Sequence, residues 1–226
     1  MKAEIPIEYE KGWVNFLNCR IDLSQKTFIP RIETEYWVKK AIREIRNQKP
    51  KTKNQKLKIL DMFAGSGCIG IAILRACPEL CRRVDFVDID ERAIKQIKIN
   101  LKLNGIPKER YRIYQSNIFG KIKKDRYDYI FANPPYAATE RVGEIDPLVK
   151  KYEPPGAYLA GKRGMDYIIR FFAQAKDFLK KYGIIYLEFD PQQKKEITNI
   201  LLKYKYQNFK FFKDQFKKYR YLKVKK

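Results

Sequence analysis

Short apolar segments alternate with helical patterns along most of the chain after residue 56, and this alternation constrains the fold more than any other feature. Each apolar segment is four to six residues long and rich in aliphatic or aromatic residues, as is typical of a buried strand. Strands that alternate with helices predict an α/β protein whose parallel sheet is covered by helices on both faces. The predicted strands are 57–60, 84–89, 111–116, 127–132, 184–189, 208–212 and 219–224, and the predicted helices are 68–76, 91–103, about 164–180 and 192–204.

The two ends of the chain depart from this alternation. The last two predicted strands are joined only by residues 213–218, so they should pair as an antiparallel hairpin. Near the start, 13–18 and 26–29 predict a second hairpin, a helix over 32–46 follows, and the polar stretch 47–56 predicts a surface loop. We therefore expect a seven-stranded, mostly parallel sheet in a main domain of residues 51–226, with an N-terminal hairpin and helix arm of residues 1–50 packed on it.

Composition excludes several kinds of chemistry. The chain has no histidine, which excludes His-based triads, His-ligated zinc and a His general base. No apolar run approaches the roughly 20 residues that span a bilayer, and the first residues lack a signal-peptide segment, so a cytoplasmic protein without membrane contact is expected. Four cysteines without a CxxC pair predict reduced, buried or half-buried thiols and no metal site: Cys19, Cys68, Cys77 and Cys81.

The charge is strongly positive, with 49 Lys and Arg residues against 26 acidic residues and a net charge of +23. Such a field attracts polyanions, so RNA or the ribosome could be a partner of this basic surface. The cations are mostly lysines spread over the whole chain, and an AT-rich coding bias would produce the same excess. Both interpretations stay open at the level of the sequence.

A glycine-rich turn follows the first strand of the main domain. It begins at Asp61 and runs through Phe63, Ala64, Gly65, Ser66 and Gly67 into the next helix. Glycines there let the main chain and the helix N-terminus approach a ligand, because a Cβ atom would block the approach. The alternative is a tight strand-to-helix turn with no ligand.

An acidic pair closes the second strand, about 20 residues after the glycine turn. Asp88 is placed to accept hydrogen bonds from the two hydroxyls of a ribose, while Asp90 is expected to cap the following helix. The dinucleotide fingerprint GxGxxG is absent, so a pyrophosphate-containing cofactor is not predicted.

The strongest indication of function is Asn133-Pro134-Pro135-Tyr136, directly after the fourth strand. The two prolines fix the backbone, so the Pro134 carbonyl and the Asn133 side-chain oxygen can both point outward and accept the two N–H bonds of an NH₂ group. Tyr136 offers a flat face on which a planar substrate can stack.

This arrangement would overcome the low reactivity of a planar nitrogen towards group transfer. The nitrogen of an amide or an exocyclic amine is a poor nucleophile because its lone pair is delocalised. Two acceptors that hold both N–H bonds favour a pyramidal nitrogen and stabilise the positive charge that develops on it during transfer. No histidine base is required, so the acceptor is predicted to be a planar, amide-like nitrogen.

The glycine turn, Asp88 and the Asn-Pro-Pro-Tyr motif together resemble the class I S-adenosylmethionine-dependent methyltransferases. The resemblance implies a Rossmann-like class I methyltransferase fold with residues 51–226 as the catalytic domain, S-adenosyl-L-methionine as cofactor and S-adenosyl-L-homocysteine as product. It also implies that Asn117 and Ile118 pack the adenine, and that Ile89 and Asn133 contact the cofactor with the glycine turn.

Two further segments resemble the release factor glutamine methyltransferases. Phe28–Glu35 is similar to that family's (L/F)IPRPETE segment, and residues 152–166 are similar to the segment that follows its Asn-Pro-Pro-Tyr motif. The resemblance implies an enzyme that methylates the glutamine of the GGQ motif in peptide chain release factors. It also implies that Phe28, Pro30 and Glu33 line the acceptor pocket together with Asn133, Pro134, Pro135 and Tyr136. Separately, we expect the protein to be a monomer.

The chain departs from that family in two ways. Phe63 stands where the family's motif has its first glycine, so it must avoid a positive φ angle or accept strain. Only about a dozen residues precede the matching region, whereas family members carry an N-terminal helical domain that recognises the release factor. Docking is then expected to be weaker, to use the catalytic domain, or to use another surface.

Two other functions stay open. An adenine-N6 or guanine-N2 methyltransferase acting on RNA or DNA is favoured by the charge, by the FAGSG turn and by the Asn-Pro-Pro-Tyr motif. A base-flipping site needs a wide slot with aromatic stacking on both faces, whereas a glutamine site needs a narrow slot with the 28–35 segment beside it. A non-catalytic cofactor-binding partner would tolerate Asp88→Ala and Asn133→Ala.

Overall fold

The computed structural model of this protein describes three stretches of the chain, residues 5–47, 56–122 and 126–226. Residues 48–55 of the predicted polar loop, and with them the predicted boundary between residues 50 and 51, lie outside the described residues. The division into an arm and a main domain therefore stays a prediction. Within the described stretches, no helix is both long enough and apolar enough to cross a membrane.

An N-terminal hairpin precedes the first long helix. The elements are α1 (Ile7–Lys11), β1 (Trp13–Phe16), β2 (Cys19–Asp22) and α2 (Ile32–Asn47). The predicted hairpin is confirmed, but its predicted second strand, 26–29, is wrong, because β1 pairs with β2. Leu17 and Asn18 have φ angles of 47° and 63°, and two positive φ angles in succession close a two-residue turn. Because of that turn, the second strand of the hairpin begins about seven residues earlier than the apolar pattern had predicted.

The main sheet has the seven strands that were predicted. They are β3 (Leu57–Met62), β4 (Cys81–Asp88), β5 (Tyr111–Gln115), β6 (Tyr127–Ala132), β7 (Leu179–Glu188), β8 (Asn208–Lys213) and β9 (Tyr219–Lys225). Their order is β5-β4-β3-β6-β7-β9-β8. The five strands from β3 to β7 are parallel to one another, and β9 lies antiparallel between β7 and β8. This confirms the mostly parallel sheet with an antiparallel C-terminal hairpin.

Helices cover both faces of the sheet. Besides α2, they are α3 (Cys68–Ala76), α4 (Glu91–Leu103), α6 (Asp166–Phe178) and α7 (Lys194–Lys203). A shorter helix, α5 (Pro147–Tyr152), lies between β6 and β7 along the chain. Alternate residues of β3 point to opposite faces, so that Ile59 belongs to the apolar cluster under α2, α3 and α4, and Leu60 belongs to the cluster under α6 and α7. The core therefore lies in two layers, one on each side of the sheet.

Two short helices were not predicted, α1 and α5. The segment 133–164 was expected to be a loop, but it contains α5, a kinked 3-10 segment at Thr139–Glu144 and a single 3-10 turn at Pro155–Ala157. Neither α1 nor α5 buries a residue completely, so neither has the apolar periodicity that sequence patterns detect. Helix α5 begins instead with a local cap, in which Asp146 Oδ1 accepts a hydrogen bond from Leu148 N at 2.7 Å.

The N-terminal hairpin and α2 are held on the sheet by polar and aromatic contacts. Asn100 Oδ1 on α4 accepts a hydrogen bond from Asp22 N at 2.7 Å. Trp37 of α2 is fully buried, and its ring stacks on the rings of Phe131, Tyr186 and Tyr221 at centroid distances of 6.1, 6.3 and 5.9 Å. Buried aromatic rings of this kind contribute a large apolar area, so α2 is a packed part of the same body.

The carboxyl ends of four parallel strands meet at one edge of the sheet. Strand β3 ends at Met62, β4 at Asp88, β6 at Ala132 and β7 at Glu188. The glycine turn and the Asn-Pro-Pro-Tyr motif each follow directly after one of these ends, and the acidic pair begins at the last residue of β4. Open α/β sheets place their ligand sites at this edge, so the fold brings the sequence motifs together.

Candidate active site

A cavity of about 510 Å³ lies at this edge of the sheet. Its volume falls within the range of roughly 300–1,000 Å³ that is usual for small-molecule sites. Residues predicted for the cofactor and for the acceptor line one continuous space: Phe28, Pro30, Glu33, Phe63, Ala64, Gly65, Ser66, Asp88, Ile89, Asn117, Ile118, Asn133, Pro134, Pro135 and Tyr136. The cavity is long enough to run from the end of β4 to the end of β7.

Asp88 lies at one end of the cavity and is held by main-chain groups. Its Oδ2 accepts a hydrogen bond from Gly65 N at 2.8 Å, and its Oδ1 accepts one from Asp90 N at 3.0 Å. Burial raises the pKa of the Asp88 carboxyl above its ordinary value. As predicted, Asp90 caps α4, because its Oδ1 accepts from Arg92 N at 2.8 Å. A fixed carboxylate with remaining lone pairs is what a pair of ribose hydroxyls requires.

Apolar side chains continue the cavity beyond Asp88. Ile118 is buried with a φ angle of 51°, and Ile89 is 54% exposed, although both line the cavity. Asn117 Oδ1 accepts a hydrogen bond from Arg170 Nη2 at 2.9 Å, which fixes that side chain. A flat apolar strip beside a carboxylate fits an adenosine group, so the residues present fit the expected cofactor.

Two residues predicted for the cofactor site do not line the cavity, Asp61 and Gly67. Asp61 lies fully buried below the glycine turn, where its Oδ2 accepts a hydrogen bond from Gly70 N at 2.9 Å and its Oδ1 has no hydrogen-bond partner. Burial raises its pKa to about 8. Gly67 begins α3 with a φ angle of 78°, and a Cβ atom there would lie 3.2 Å from Ile97 Cγ1. Both residues support the turn from behind.

Phe63 has a strained backbone. The sequence analysis predicted either this strain or a φ angle that is not positive. Its φ angle is 58°, in the left-handed region that β-carbon sterics disfavour. Its ring packs edge-on against Tyr167 at a centroid distance of 5.8 Å and against Phe171 at 6.3 Å. Aromatic contacts with α6 therefore hold a residue in a position that glycine would occupy without strain.

The acceptor motif lies at the other end of the cavity. Asn133 Nδ2 donates a hydrogen bond to Thr34 Oγ1 at 3.3 Å, and the Tyr136 hydroxyl donates to Glu188 Oε1 at 3.1 Å. Pro134 and Pro135 are both buried. Burial and the adjacent Glu188 raise the pKa of Tyr136, so its phenol is neutral at physiological pH and is not a base.

Glu188 and Thr34 were not predicted as site residues. Glu188 is 1% exposed, and its Oε2 accepts hydrogen bonds from Thr34 Oγ1 and Trp37 Nε1, both at 2.7 Å. Burial raises the pKa of its carboxyl. Glu188 is the last residue of β7, just as Asp88 is the last residue of β4. This position at the carboxyl end of a buried strand was the sequence feature that could have identified Glu188 as a site residue. Thr34 lies within the 28–35 segment that was expected beside the pocket, but no pattern singled out its hydroxyl.

The 28–35 segment forms a wall of the cavity beside the acceptor motif. Ile29 N donates a hydrogen bond to Glu153 Oε2 at 3.3 Å, and Arg31 forms an ion pair with Glu153 Oε1. The Arg31 guanidinium also lies 4.6 Å from the centre of the Phe28 ring. Glu153 is 4% exposed, and burial raises its pKa. The two segments that resemble one family at the sequence level are therefore in direct contact.

The backbone of Tyr136 is fixed from behind by Gln193, the residue before α7, and by a glycine. Gln193 Nε2 donates to Tyr136 O and to Gly164 O, both at 2.9 Å. Gly164 has a φ angle of 73°, and a Cβ atom there would lie 2.1 Å from Tyr136 O. Only glycine fits this position, so the loop after the acceptor motif must close against the motif itself.

Comparisons with known proteins give one consistent result. The model of the methyltransferase small domain family matches residues 47–148. A release factor glutamine methyltransferase from Thermodesulfovibrio yellowstonii is 32% identical over 87% of this chain and 68% of its own length, and one from Clostridium botulinum is 30% identical over 100% and 77%. A methyltransferase structure from Pyrococcus furiosus has a TM-score of 0.62 at 18% identity, over 91% of this chain and 87% of that one. This structural likeness confirms the Rossmann-like class I methyltransferase fold.

Proposed function

Because this chain belongs to the release factor glutamine methyltransferase family and is an S-adenosylmethionine-dependent methyltransferase, we propose that it methylates the side-chain amide nitrogen of the GGQ glutamine in a peptide chain release factor. The cofactor supplies an electrophilic methyl group on a sulfonium. Asp88 would hold the ribose, the turn from Phe63 to Ser66 would lie against the methionine portion, and Ile89 and Ile118 would pack on the adenine.

The residues at the acceptor end of the cavity would position the glutamine amide. Asn133 Oδ1 and the main-chain carbonyl of Pro134 would accept the two N–H bonds of the glutamine amide, and the Tyr136 ring would support its plane. Two acceptors directed at one nitrogen orient its lone pair and stabilise the positive charge that develops there. The proton lost from nitrogen after transfer needs no strong base, because a protonated amide is very acidic.

One observation carries the choice of glutamine over a nucleobase. The segment around Phe28 and Pro30 lines the cavity directly beside the acceptor motif, and Thr34 on the same segment is 3.3 Å from Asn133 Nδ2. Glu153 fastens this segment through Ile29 and Arg31. A wall this close to the acceptor motif favours a narrow slot that admits an extended side chain, whereas an extruded base needs room for stacking on both faces.

A methyl-transfer assay with labelled cofactor tests the proposal. The purified chain is offered a release factor, the same factor with the GGQ glutamine changed to alanine, total RNA and DNA in parallel. We expect label only in the unmodified release factor, and none when the enzyme carries Asn133→Ala. Label that survives the glutamine change would contradict the proposal, and label only in nucleic acid would favour the adenine-N6 or guanine-N2 alternative. No label in any acceptor, together with a cellular function that both Asp88→Ala and Asn133→Ala leave intact, would favour the non-catalytic alternative.

We also propose that the protein acts as a monomer in the cytoplasm and that its basic surface contributes to meeting the release factor on the ribosome. The support is the net charge of +23, which attracts a polyanion such as ribosomal RNA. Binding to purified ribosomes that weakens steeply with added salt would support this contact. Binding that is absent at low salt would contradict it without affecting the methyl-transfer proposal.

A further inference from the structure

A directional chain of hydrogen bonds joins the acceptor motif to the N-terminal helix. Asn133 Nδ2 donates to Thr34 Oγ1 at 3.3 Å, and Thr34 Oγ1 donates to Glu188 Oε2 at 2.7 Å. We propose that Thr34 is a positioning residue, which sets the side-chain amide of Asn133 so that its oxygen faces the acceptor nitrogen. This inference rests on the proposed function, because it states how the same pocket is made ready for an amide.

The single proton of the Thr34 hydroxyl determines which end of the Asn133 amide can bond to it. A hydroxyl has one O–H donor and two lone pairs, and a carboxyl oxygen that accepts from an indole N–H keeps a second lone pair for another donor. Glu188 Oε2 accepts from Trp37 Nε1 at 2.7 Å, and it lies at the same distance from Thr34 Oγ1. Once the Thr34 proton is directed at Glu188, the hydroxyl can offer Asn133 only a lone pair. Only the NH₂ end of the Asn133 amide can bond to a lone pair, so Oδ1 must be the end that is left for the cavity.

Shape alone would not select this orientation. The oxygen and NH₂ group of an asparagine side chain are nearly equal in size, so a rotation of 180° changes the hydrogen bonding but hardly changes the packing. Thr34 is 2% exposed and Glu188 is 1% exposed, which leaves no solvent to satisfy a misplaced lone pair. The reversed amide would set Asn133 Oδ1 against a lone pair of Thr34, and this costs free energy in a buried site.

The orientation matters because the acceptor brings donors. A glutamine amide presents two N–H bonds, and these can be held by Asn133 Oδ1 but not by Asn133 Nδ2. A reversed Asn133 would place one NH₂ group against another at the reacting nitrogen. Thr34 therefore acts on the reaction through Asn133 and need not contact the methyl group or the acceptor.

Two matched substitutions separate this role from a role in packing. Thr34→Val keeps the size and β-branching but removes the hydroxyl, whereas Thr34→Ser removes a methyl group but keeps the hydroxyl. For Thr34→Val we expect kcat for release factor methylation to fall roughly ten- to hundredfold, with KM and the affinity for S-adenosyl-L-homocysteine changed much less. For Thr34→Ser we expect kcat within about threefold of the unchanged protein, since the directional chain is retained.

The contrary results are equally definite. Equal kcat values for the unchanged protein and Thr34→Val would overturn the proposal. A kcat for Thr34→Ser as low as that for Thr34→Val would also overturn it, because packing rather than the hydroxyl would then be responsible. Thermal unfolding of each variant identifies losses of activity that come from loss of structure.

A measurement on the unchanged protein needs neither a variant nor a substrate. In the full chain labelled with ¹⁵N, the Asn133 side-chain amide protons should show nuclear Overhauser contacts to the Thr34 side chain. Contacts that are absent would refute the orientation even if the enzyme is active. If the enzyme does not methylate a release factor but the contacts are present, the proposed substrate has failed and the orientation of Asn133 stands.

Discussion

The hydroxyl of Tyr136 donates a hydrogen bond to Glu188 Oε1 at 3.1 Å, so the ring of the acceptor motif is fixed by the carboxylate at the end of the neighbouring strand, β7. The two residues are 52 positions apart in the sequence. Strands β6 and β7 are parallel neighbours, and their carboxyl ends therefore lie side by side. The orientation of an aromatic surface in the pocket thus depends on the register of two strands.

Tyr136→Phe tests this contact, because it removes the hydroxyl and keeps the ring. Loss of one hydrogen bond to a buried carboxylate is expected to lower kcat/KM for the release factor about three- to tenfold, equivalent to roughly 1 kcal/mol. Tyr136→Ala also removes the stacking surface and should cost about a hundredfold. Steady-state kinetics measure both. The exposed Tyr182, changed to Phe, is the control, and an equal loss there would contradict the assignment.

Asp88→Ala should weaken cofactor binding. Both oxygens of its carboxylate accept hydrogen bonds from main-chain N–H groups, so the side chain is held in place at that end of the cavity. We expect the dissociation constant for S-adenosyl-L-homocysteine to rise at least about tenfold by calorimetry, since hydrogen bonds to a charged group are lost. The matched control is Asp128→Ala near the start of β6, which removes hydrogen bonds from Lys58 N and Lys180 Nζ and should lower stability by about 1 kcal/mol while leaving affinity nearly unchanged. Equal affinities for the two variants would refute the role of Asp88.

Gly164→Ala should damage both stability and activity. A Cβ atom at Gly164 would lie 2.1 Å from Tyr136 O, and the φ angle of 73° is unfavourable for alanine. We expect a loss of about 2 kcal/mol or more in the free energy of unfolding, measured by urea denaturation, together with reduced methyl transfer. At Gly143 a Cβ atom would meet nothing within 4 Å, so Gly143→Ala is the control and should be nearly neutral. A stable, fully active Gly164→Ala variant would show that the backbone at Tyr136 is free to move.

The buried Asp61 predicts a pH dependence of stability. Burial raises its pKa in the folded protein from the ordinary value of 3.8 to about 8. Between about pH 3.8 and pH 8, the folded chain therefore keeps a proton on Asp61 that the unfolded chain has released. The stability that this proton contributes is fully present below about pH 3.8 and is lost as the pH rises through about 8. The free energy of unfolding should fall with pH less steeply in Asp61→Asn than in the unchanged protein. Parallel curves for the two proteins from pH 5 to 9 would show that Asp61 does not titrate in this way.

Local patterns predicted the sheet well because its strands are buried and its motifs follow strand ends directly. Asp88, Asn133 and the glycine turn could be located from the sequence, since the carboxyl ends of parallel strands meet at one edge. The strand expected at 26–29 failed for a local reason, the positive φ angles of Leu17 and Asn18, which close the hairpin earlier. Asn18 is a residue type that tolerates such angles, and this indication was available but was outweighed by the apolar pattern.

Long-range hydrogen bonds could not be predicted in the same way. Thr34 lies on a helix whose apolar face explains its burial, and nothing near it in the sequence indicates that its hydroxyl meets Glu188, 154 positions away. Asp61 failed differently. It occupies the expected place at the end of β3, but its side chain points beneath the turn to Gly70 N rather than into the cavity. Strand alternation predicts a face, whereas the depth of a side chain depends on what packs above it.

Trp37 has a further consequence for the order in which the molecule assembles. Its indole N–H donates a hydrogen bond to Glu188, which lies 151 positions later in the sequence. The ribosome therefore synthesises Trp37 long before it synthesises Glu188. Contacts of such high sequence separation are slow to form, because a long loop must be closed before they contribute. The nascent chain is therefore expected to emerge with its glycine turn formed and its acceptor pocket unfinished, and to become competent only when β7 has been translated and the first long helix has docked on it.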